Sequence, residues 1–183
     1  MALSPTLWRT ARVLSGATRL GLLRRIVEKP EQTVSELAEA LKLSRPRASQ
    51  ELRRLQARGI VQASRDGVWL RYRPVPDSLV SSAAPILAAM KETFLRFPET
   101  EDERTVRVAT AFSHARRLAI IQELMRGERT AAELQQHPGM SEMAVYRHLD
   151  LLQAGWVVRR NGQTWRLEAW GHPLTLCLMD LLK

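Results

Sequence analysis

The chain has 183 residues, 45% of them hydrophobic, with a formal net charge of +9 and a sequence pI near 10.9. That length holds one large or two small domains, and the charge favours a polyanionic partner, nucleic acid or an acidic membrane surface. A single cysteine, Cys177, excludes an internal disulfide framework and fits a reducing, cytoplasmic setting, while the lack of any run of about 18 apolar residues excludes a transmembrane helix.

In chain order, Ser4-Pro5 is a helix start, with Ser as cap and Pro at the first helical position. A short apolar stripe of Leu7, Trp8, Val13 and Leu14 follows. A second helix is predicted over residues 17–28, with Leu20, Leu23, Ile26 and Val27 on one face and Lys29-Pro30 ending it. Residues 1–27 contain arginines and no acid, a composition shared with mitochondrial transit peptides. Residues 14–27 nevertheless match an internal segment further on, which argues that they are folded.

Thr33 caps a third helix, and Glu36 three residues later completes a capping box. Val34, Leu37 and Leu41 face its core. Ser44 caps a fourth helix that runs to residue 58. Two strands are predicted near residues 60–65 and 68–73 around an Asp66-Gly67 turn. Residues 77–97 read as one long helix in which Pro85 would act as a kink or a break. Residues 98–103, Pro98-Glu99-Thr100-Glu101-Asp102-Glu103, read as an acidic linker.

The plan then repeats. Helices are predicted near 104–112, 115–126, 131–137 and 141–154, Asn161-Gly162 marks a second hairpin, and an apolar helix covers 173–182. The repeat is visible residue by residue. Leu14-Ser15-Gly16-Ala17-Thr18-Arg19-Leu20 returns as Phe112-Ser113-His114-Ala115-Arg116-Arg117-Leu118. Thr33-Val34-Ser35-Glu36-Leu37 returns as Thr130-Ala131-Ala132-Glu133-Leu134, and Arg58-Gly59-Ile60-Val61 as Ala154-Gly155-Trp156-Val157. The expected fold is therefore mainly α with small β-hairpin wings, as two tandem winged helix-turn-helix domains: residues 1–97, an acidic linker at 98–103, and residues 104–183.

The two copies differ in charge. Residues 1–76 carry +9, residues 77–105 carry −3 and residues 106–183 carry +3. On a helical wheel of about 100° per residue, Ala48, Leu52 and Leu55 form the buried stripe of the fourth helix. Pro46, Gln50, Arg53 and Arg54 lie opposite, flanked by Arg47 and Ser49. Arginine matches guanine O6 and N7, and glutamine matches adenine N6 and N7, so this face suits the major groove. Arg45 at its start, Arg65 at the hairpin tip, and Arg71 and Arg73 on the return strand are placed to hold phosphates. In the second copy Val145, Leu149 and Leu152 are inward, while Met143, Arg147, Asp150 and Leu151 point out. Residues 44–58 sum to +4, whereas residues 141–154 sum to −1. Tyr146, Arg147 and His148 on that helix, and Arg159 and Arg160 in its wing, are the second copy's candidates for DNA contact.

Thr33 to Ala38, Leu43-Ser44-Arg45-Pro46-Arg47-Ala48-Ser49, and the run from Leu52 and Leu55 to Gly59-Ile60-Val61 resemble the ArsR-type winged helix transcriptional regulators. The second copy matches at residues 141–149 and 154–157. These motifs separate winged helix regulators from other folds and distinguish ArsR-like from MarR-like members poorly. The resemblance implies a regulator of duplex DNA whose first and last helices form a dimer interface. Here the tandem copies would supply an intramolecular pseudo-dimer, with a homodimer of the chain left open.

Metal-sensing members of that family carry a cysteine pair in the helix before the recognition helix. Val34-Ser35-Glu36-Leu37-Ala38-Glu39-Ala40-Leu41 has neither thiol nor imidazole, and the four histidines at 114, 137, 148 and 172 lack ligand spacing, so no metal or other cofactor is expected. No phosphate loop, nucleophile elbow or acid pair indicates an enzyme. A small-molecule effector is compatible with this reading, with Trp156, Trp165, Trp170 and Met179 able to line an apolar pocket, although core packing is the simpler use of them. The competing function is a tandem winged helix interaction scaffold of the chromosome-segregation type, which the basic charge of the first copy disfavours.

Overall fold

Helix boundaries follow from local chemistry. In the computed structural model, which describes residues 6–136, 140–168 and 171–183, α1 spans Leu7–Leu14 and α2 spans Ala17–Glu28. The Ser4-Pro5 start, His137 and Trp170 lie outside the described residues. Strand β1 (Gln32–Thr33) leads into α3 (Val34–Ala40), which begins with the capping box: Thr33 N–H donates to Glu36 Oε2 at 2.7 Å and Glu36 N–H to Thr33 Oγ1 at 3.3 Å. Helix α4 (Arg45–Gln56) follows Ser44, whose hydroxyl accepts from Arg47 N–H. Pro46 falls in the first turn, where its missing N–H removes no helical bond.

Strands β2 (Gln62–Asp66) and β3 (Trp69–Arg73) form the wing, with β1 on the far side of β3, so the sheet order is β1-β3-β2. The turn lies one residue later than the dipeptide Asp66-Gly67 suggests. Asp66 pairs with Trp69, and Gly67-Val68 is the two-residue loop, with Gly67 at φ +59° as a type II′ turn requires at its first central position.

Helix α5 (Ala83–Arg96) is shorter than the apolar run from residue 77. Asp77 instead makes a turn, its carboxylate accepting from Leu79 N–H at 2.9 Å and its carbonyl from Val80 N–H at 3.0 Å. Pro85 then sits in the first turn of α5 and neither kinks nor divides it. A 3₁₀ turn at Glu99–Glu101 leads directly into α6 (Asp102–Ala111).

The second half runs α7 (Ala115–Met125), β4 (Arg129–Thr130), α8 (Ala131–Gln135), α9 (Glu142–Ala154), β5 (Val158–Asn161), β6 (Thr164–Leu167) and α10 (Pro173–Asp180). Its sheet has the matching order β4-β6-β5. Thr130 and Glu133 repeat the capping box at 2.7 and 3.2 Å. Gly162, at φ +60°, again takes the first turn position, between Asn161 and Thr164. The fold is thus mainly helical with two small antiparallel sheets, as a winged-helix protein has.

The two halves share one hydrophobic core. Helix α1 packs on α6, and α5 packs on α10. Because α6 also covers α2, Leu22 is buried together with the expected Leu20, Leu23 and Ile26, while Val27 is only partly covered. The same packing buries Arg24, whose Nε donates to Asp102 Oδ2 at 3.1 Å and whose guanidinium lies 4.4 Å from the Phe94 ring centroid. Burial opposes its charge, but Asp102 and Glu28 outweigh that and raise its pKa. Arg25 reaches Glu99 as well. Residues 98–103 are therefore ordered and tied by charge to α2.

Candidate nucleic-acid interface

Helix α4 is amphipathic, with Ala48, Leu52 and Leu55 completely buried. Arg45, Pro46, Arg47, Gln50, Arg53 and Arg54 are exposed on the remainder, and Ser49 is partly covered. Among the described residues Arg45, Arg47 and Arg53 have no carboxylate partner, so their guanidiniums are available to an external anion. Arg54 differs: its Nη1 lies 3.0 Å from Glu51 Oε1. Glu51 is buried beside Leu52 and also takes Arg19 Nη1 at 2.9 Å. Although burial works the other way, Arg19 and Arg54 hold the Glu51 carboxyl below its usual range.

The wing stands next to the start of this helix. Arg45, Trp69 and Arg71 share the lining of a depression of about 340 Å³ with Thr33, Ser35 and Glu36. Arg65 and Asp66 lie at the tip, where Arg65 is exposed and has no carboxylate partner among the described residues. Arg71 and Arg73 are engaged: Arg71 donates to Asp66 at 2.8 Å and to the Glu31 carbonyl at 2.9 Å, and Arg73 pairs with Glu31. They brace the wing from Asp66 near its tip to Glu31 at its root while keeping their positive charge.

This wing projects further than its counterpart. Thr33 of β1 lies opposite Arg71, the third residue of β3, whereas Thr130 of β4 lies opposite Thr164, the first residue of β6. The first hairpin therefore extends two residue pairs, about 7 Å, beyond its sheet. Its tip exposes Val68 (89%), Trp69 (55%) and Leu70 (41%). Trp69 was not among the expected interface residues. The signal was present, because Trp69, Arg71 and Arg73 alternate with buried Tyr72 and so share the outer face.

Helix α9 is built likewise but presents different chemistry. Val145, Leu149 and Leu152 are fully buried, while Met143 (71% exposed), Tyr146, Arg147, Asp150 and Leu151 face solvent. His148 does not join them. It is buried, with its ring centroid 4.9 Å from that of His114, and burial together with His114, Arg117, Arg116 and Arg147 pulls its pKa to about 4. At neutral pH it is an uncharged interior ring. In the second wing Arg160 donates to the Gly162 carbonyl at 3.0 Å, and Arg159 lies 3.9 Å from Glu168.

The remaining aromatic candidates are dispersed. Trp165 is buried in the core, Trp156 lines a polar depression with Arg104 and Arg107, and Met179 packs at the edge of the core. Cys177 is partly covered, and burial beside Asp180 raises its thiol to about 11. Among the described residues no group of three or more His, Cys, Asp or Glu side chains is placed to hold a metal ion. No described helix is long and apolar enough to cross a membrane.

A capped helix-turn-helix with a cationic second helix, beside a basic hairpin, defines a winged-helix DNA-binding protein. Similarity to known proteins narrows the class. A model of the MarR family matches residues 14–68. A probable mercury resistance operon repressor of Streptomyces lividans is 38% identical over 102 residues, which are 55% of this chain and 80% of that protein. An arsenic resistance transcriptional regulator of Pseudomonas putida is 36% identical over 66 residues, covering 36% of this chain and 52% of its own. The arsenical resistance operon repressor of Escherichia coli K12 is 34% identical over 65 residues, covering 36% and 56%. The matches thus span only about half of the two arsenic regulators. No solved structure gives a significant match. The chain belongs to the family of winged-helix transcriptional regulators that includes the mercury repressor, and it is a DNA-binding transcriptional regulator.

Proposed function

We propose that this regulator binds duplex DNA chiefly through α4 and the first wing, as one of two tandem winged-helix domains, residues 1–97 and 104–183, joined through residues 98–103. The observation that carries this reading is the contrast between the outer faces of α4 and α9. The first offers Arg45, Arg47, Gln50 and Arg53 without a carboxylate among them; the second offers Met143, Asp150 and Leu151 around a single Arg147. Carboxylate and apolar groups on a groove-facing surface oppose contact with phosphates and base edges. The second domain is then a weaker reader, or a half used for other contacts.

The packing of α1 on α6 and of α5 on α10 supports an intramolecular pseudo-dimer, because each helix meets its own counterpart, as in an isologous two-fold interface. The scaffold alternative gains nothing from the three relatives named above, which are described as repressors or regulators. The metals in those names do not transfer easily, since α3 contains no cysteine or histidine and the single thiol is held protonated. A cytoplasmic site of action follows from the role.

Gel mobility shifts on duplex DNA at several salt concentrations test the assignment. Arg47→Ala with Arg53→Ala should weaken binding strongly and flatten the salt dependence, by about 0.9 log unit per log unit of salt for each phosphate no longer neutralised. Arg147→Ala should have little effect. Equal losses from the two would overturn the asymmetry, and no binding by the unaltered protein at low salt would favour the scaffold.

A further inference from the structure

Five arginines converge on a depression of about 480 Å³ between α1 and the end of α4, away from the wing: Arg9, Arg12, Arg19, Arg54 and Arg58, with the half-buried Trp8 as a wall. They come from three helices and the residue group closing α4, so only the tertiary fold brings them together. One carboxylate offsets them. Glu51 takes Arg19 and Arg54, while Arg9, Arg12 and Arg58 have no carboxylate partner among the described residues.

The equivalent place in the second half is filled and stripped of this charge. With α1 aligned on α6 and the buried stripe of α4 on that of α9, Arg9, Arg12, Arg19, Arg54 and Arg58 correspond to Arg107, Thr110, Arg117, Leu151 and Gly155. The shared arginine keeps its structural bonds: Arg19 reaches the carbonyls of Val13 and Arg12, as Arg117 reaches those of Ala111 and Thr110. The buried His148 replaces the buried Glu51, so among the described residues Arg117 has no such ion pair. Helix α6 also sits directly on the end of α9, where a Cβ at Gly155 would lie 2.7 Å from Ala111 Cβ. The depression and its arginines are therefore additions in the first half rather than consequences of the shared fold.

We propose that this depression is a binding site for a small molecule carrying at least two phosphate groups, the Trp8 indole facing its organic part. Guanidinium forks match phosphate oxygens in bidentate fashion, and Arg9, Arg12 and Arg58 are the ones placed to do so, while Arg19 and Arg54 add charge: five guanidiniums against one carboxylate leave four positive charges to balance, about the charge of a diphosphate. The volume falls within the usual range of about 300–1,000 Å³ for small-molecule sites. Binding of the anion stands on this geometry alone. Its effect on DNA rests on the DNA-binding reading above: Arg54 belongs to both α4 and the depression, so an anion there withdraws positive charge from α4.

Isothermal titration with inorganic pyrophosphate, without DNA and at fixed ionic strength, tests the site. The unaltered chain should bind at one site. Arg12→Ala with Arg58→Ala should weaken that binding about tenfold or more, since two charge-assisted hydrogen-bond donors are removed. Arg159→Ala with Arg160→Ala, which removes equal charge from the second wing, should leave it within about twofold. If thermal melting shows the first pair unfolded, Arg9→Gln with Arg12→Gln supplies the same comparison. No binding at millimolar pyrophosphate, or equal weakening by the wing pair, overturns the proposal. Because the phosphate of DNA has the same chemistry, the first pair is also measured on duplex. Failure to bind pyrophosphate combined with a DNA loss as large as that of Arg47→Ala with Arg53→Ala would assign the arginines to the DNA backbone and overturn the small-molecule site.

Discussion

Helices α4 and α9 hold equivalent places in the two halves, bury three equivalent positions, and show solvent opposite chemistry. Ala48, Leu52 and Leu55 correspond to Val145, Leu149 and Leu152 in the wheel, and all six are completely buried. The faces away from the core share no such agreement: arginines and a glutamine on one, Met143, Asp150 and Leu151 on the other. The wings diverge in the same way, since both turn on a left-handed glycine but only the first projects beyond its sheet. Packing restricts the inward positions because a missing methylene or an added charge there costs stability. The outward positions carry no such restraint, so a repeated fold leaves the two surfaces free to differ in function.

The sharpest way to break this comparison is on DNA. Arg47→Ala with Arg53→Ala should cost about 2–6 kcal/mol of binding, two interactions of about 1–3 kcal/mol each, against well under 1 kcal/mol for Arg147→Ala. Titration of a labelled duplex with each variant would show it, and similar losses would mean that both halves read DNA.

A second test addresses what joins the halves. Arg24→Met should lower stability by about 3 kcal/mol, because Asp102 and the carbonyls of Phe94 and Phe97 would be deprived of a nearly buried donor. Calorimetry should show one unfolding transition in the unaltered chain, given its continuous core. Separation into two transitions in Arg24→Met would show that this pair couples the halves.

Acid should act on the second half first, since all four histidines lie there. Burial lowers both His148 and His172 from 6.5 to about 4. A base whose folded pKa is depressed takes up protons more readily when unfolded. The stability it contributes is complete above pH 6.5 and is lost as pH falls toward 4. The loss is at most about 3 kcal/mol for each ring. Hydrogen-exchange protection, corrected for the slower intrinsic exchange at lower pH, should fall in α9 and α10 before α4 between pH 7 and pH 5, and a uniform fall would count against this account.

The smallest effect is expected at the wing tip. Trp69→Ala should weaken DNA binding by about 1 kcal/mol, as removal of one stacked or apolar group would, without altering the melting temperature, because the side chain is already half exposed. No change in affinity would leave the projection of the first wing without a role on DNA.

Much of the fold was legible in the sequence because its rules are local. The Thr33–Glu36 and Thr130–Glu133 capping boxes, the serine caps of α4 and α9, and the turn glycines all act within four residues. The buried stripes of α4 and α9 follow from helical periodicity. The start of α5 departs from the apolar pattern for a local reason as well: the Asp77 side chain competes with the helix for the N–H of Leu79.

The inward placement of His148 follows from its position three residues after Val145 and four before Leu152, but its ring neighbour was not legible, because His114 stands at the head of a different helix. The engagement of Arg71 and Arg73 was hidden for the same reason, since Glu31 meets them only through the register of β1 with β3. By itself, the sequence determined the repeated order of elements, the core positions and the charge difference between the copies, through spacing rules that act over one or two helical turns. The tertiary structure decided which of those charges meet: Arg24 with Asp102, Arg19 and Arg54 with Glu51, and the five arginines around Trp8. The physical reason is that helix packing, which buries apolar surface with little regard to direction, sets those distances, and no local pattern in the chain encodes them.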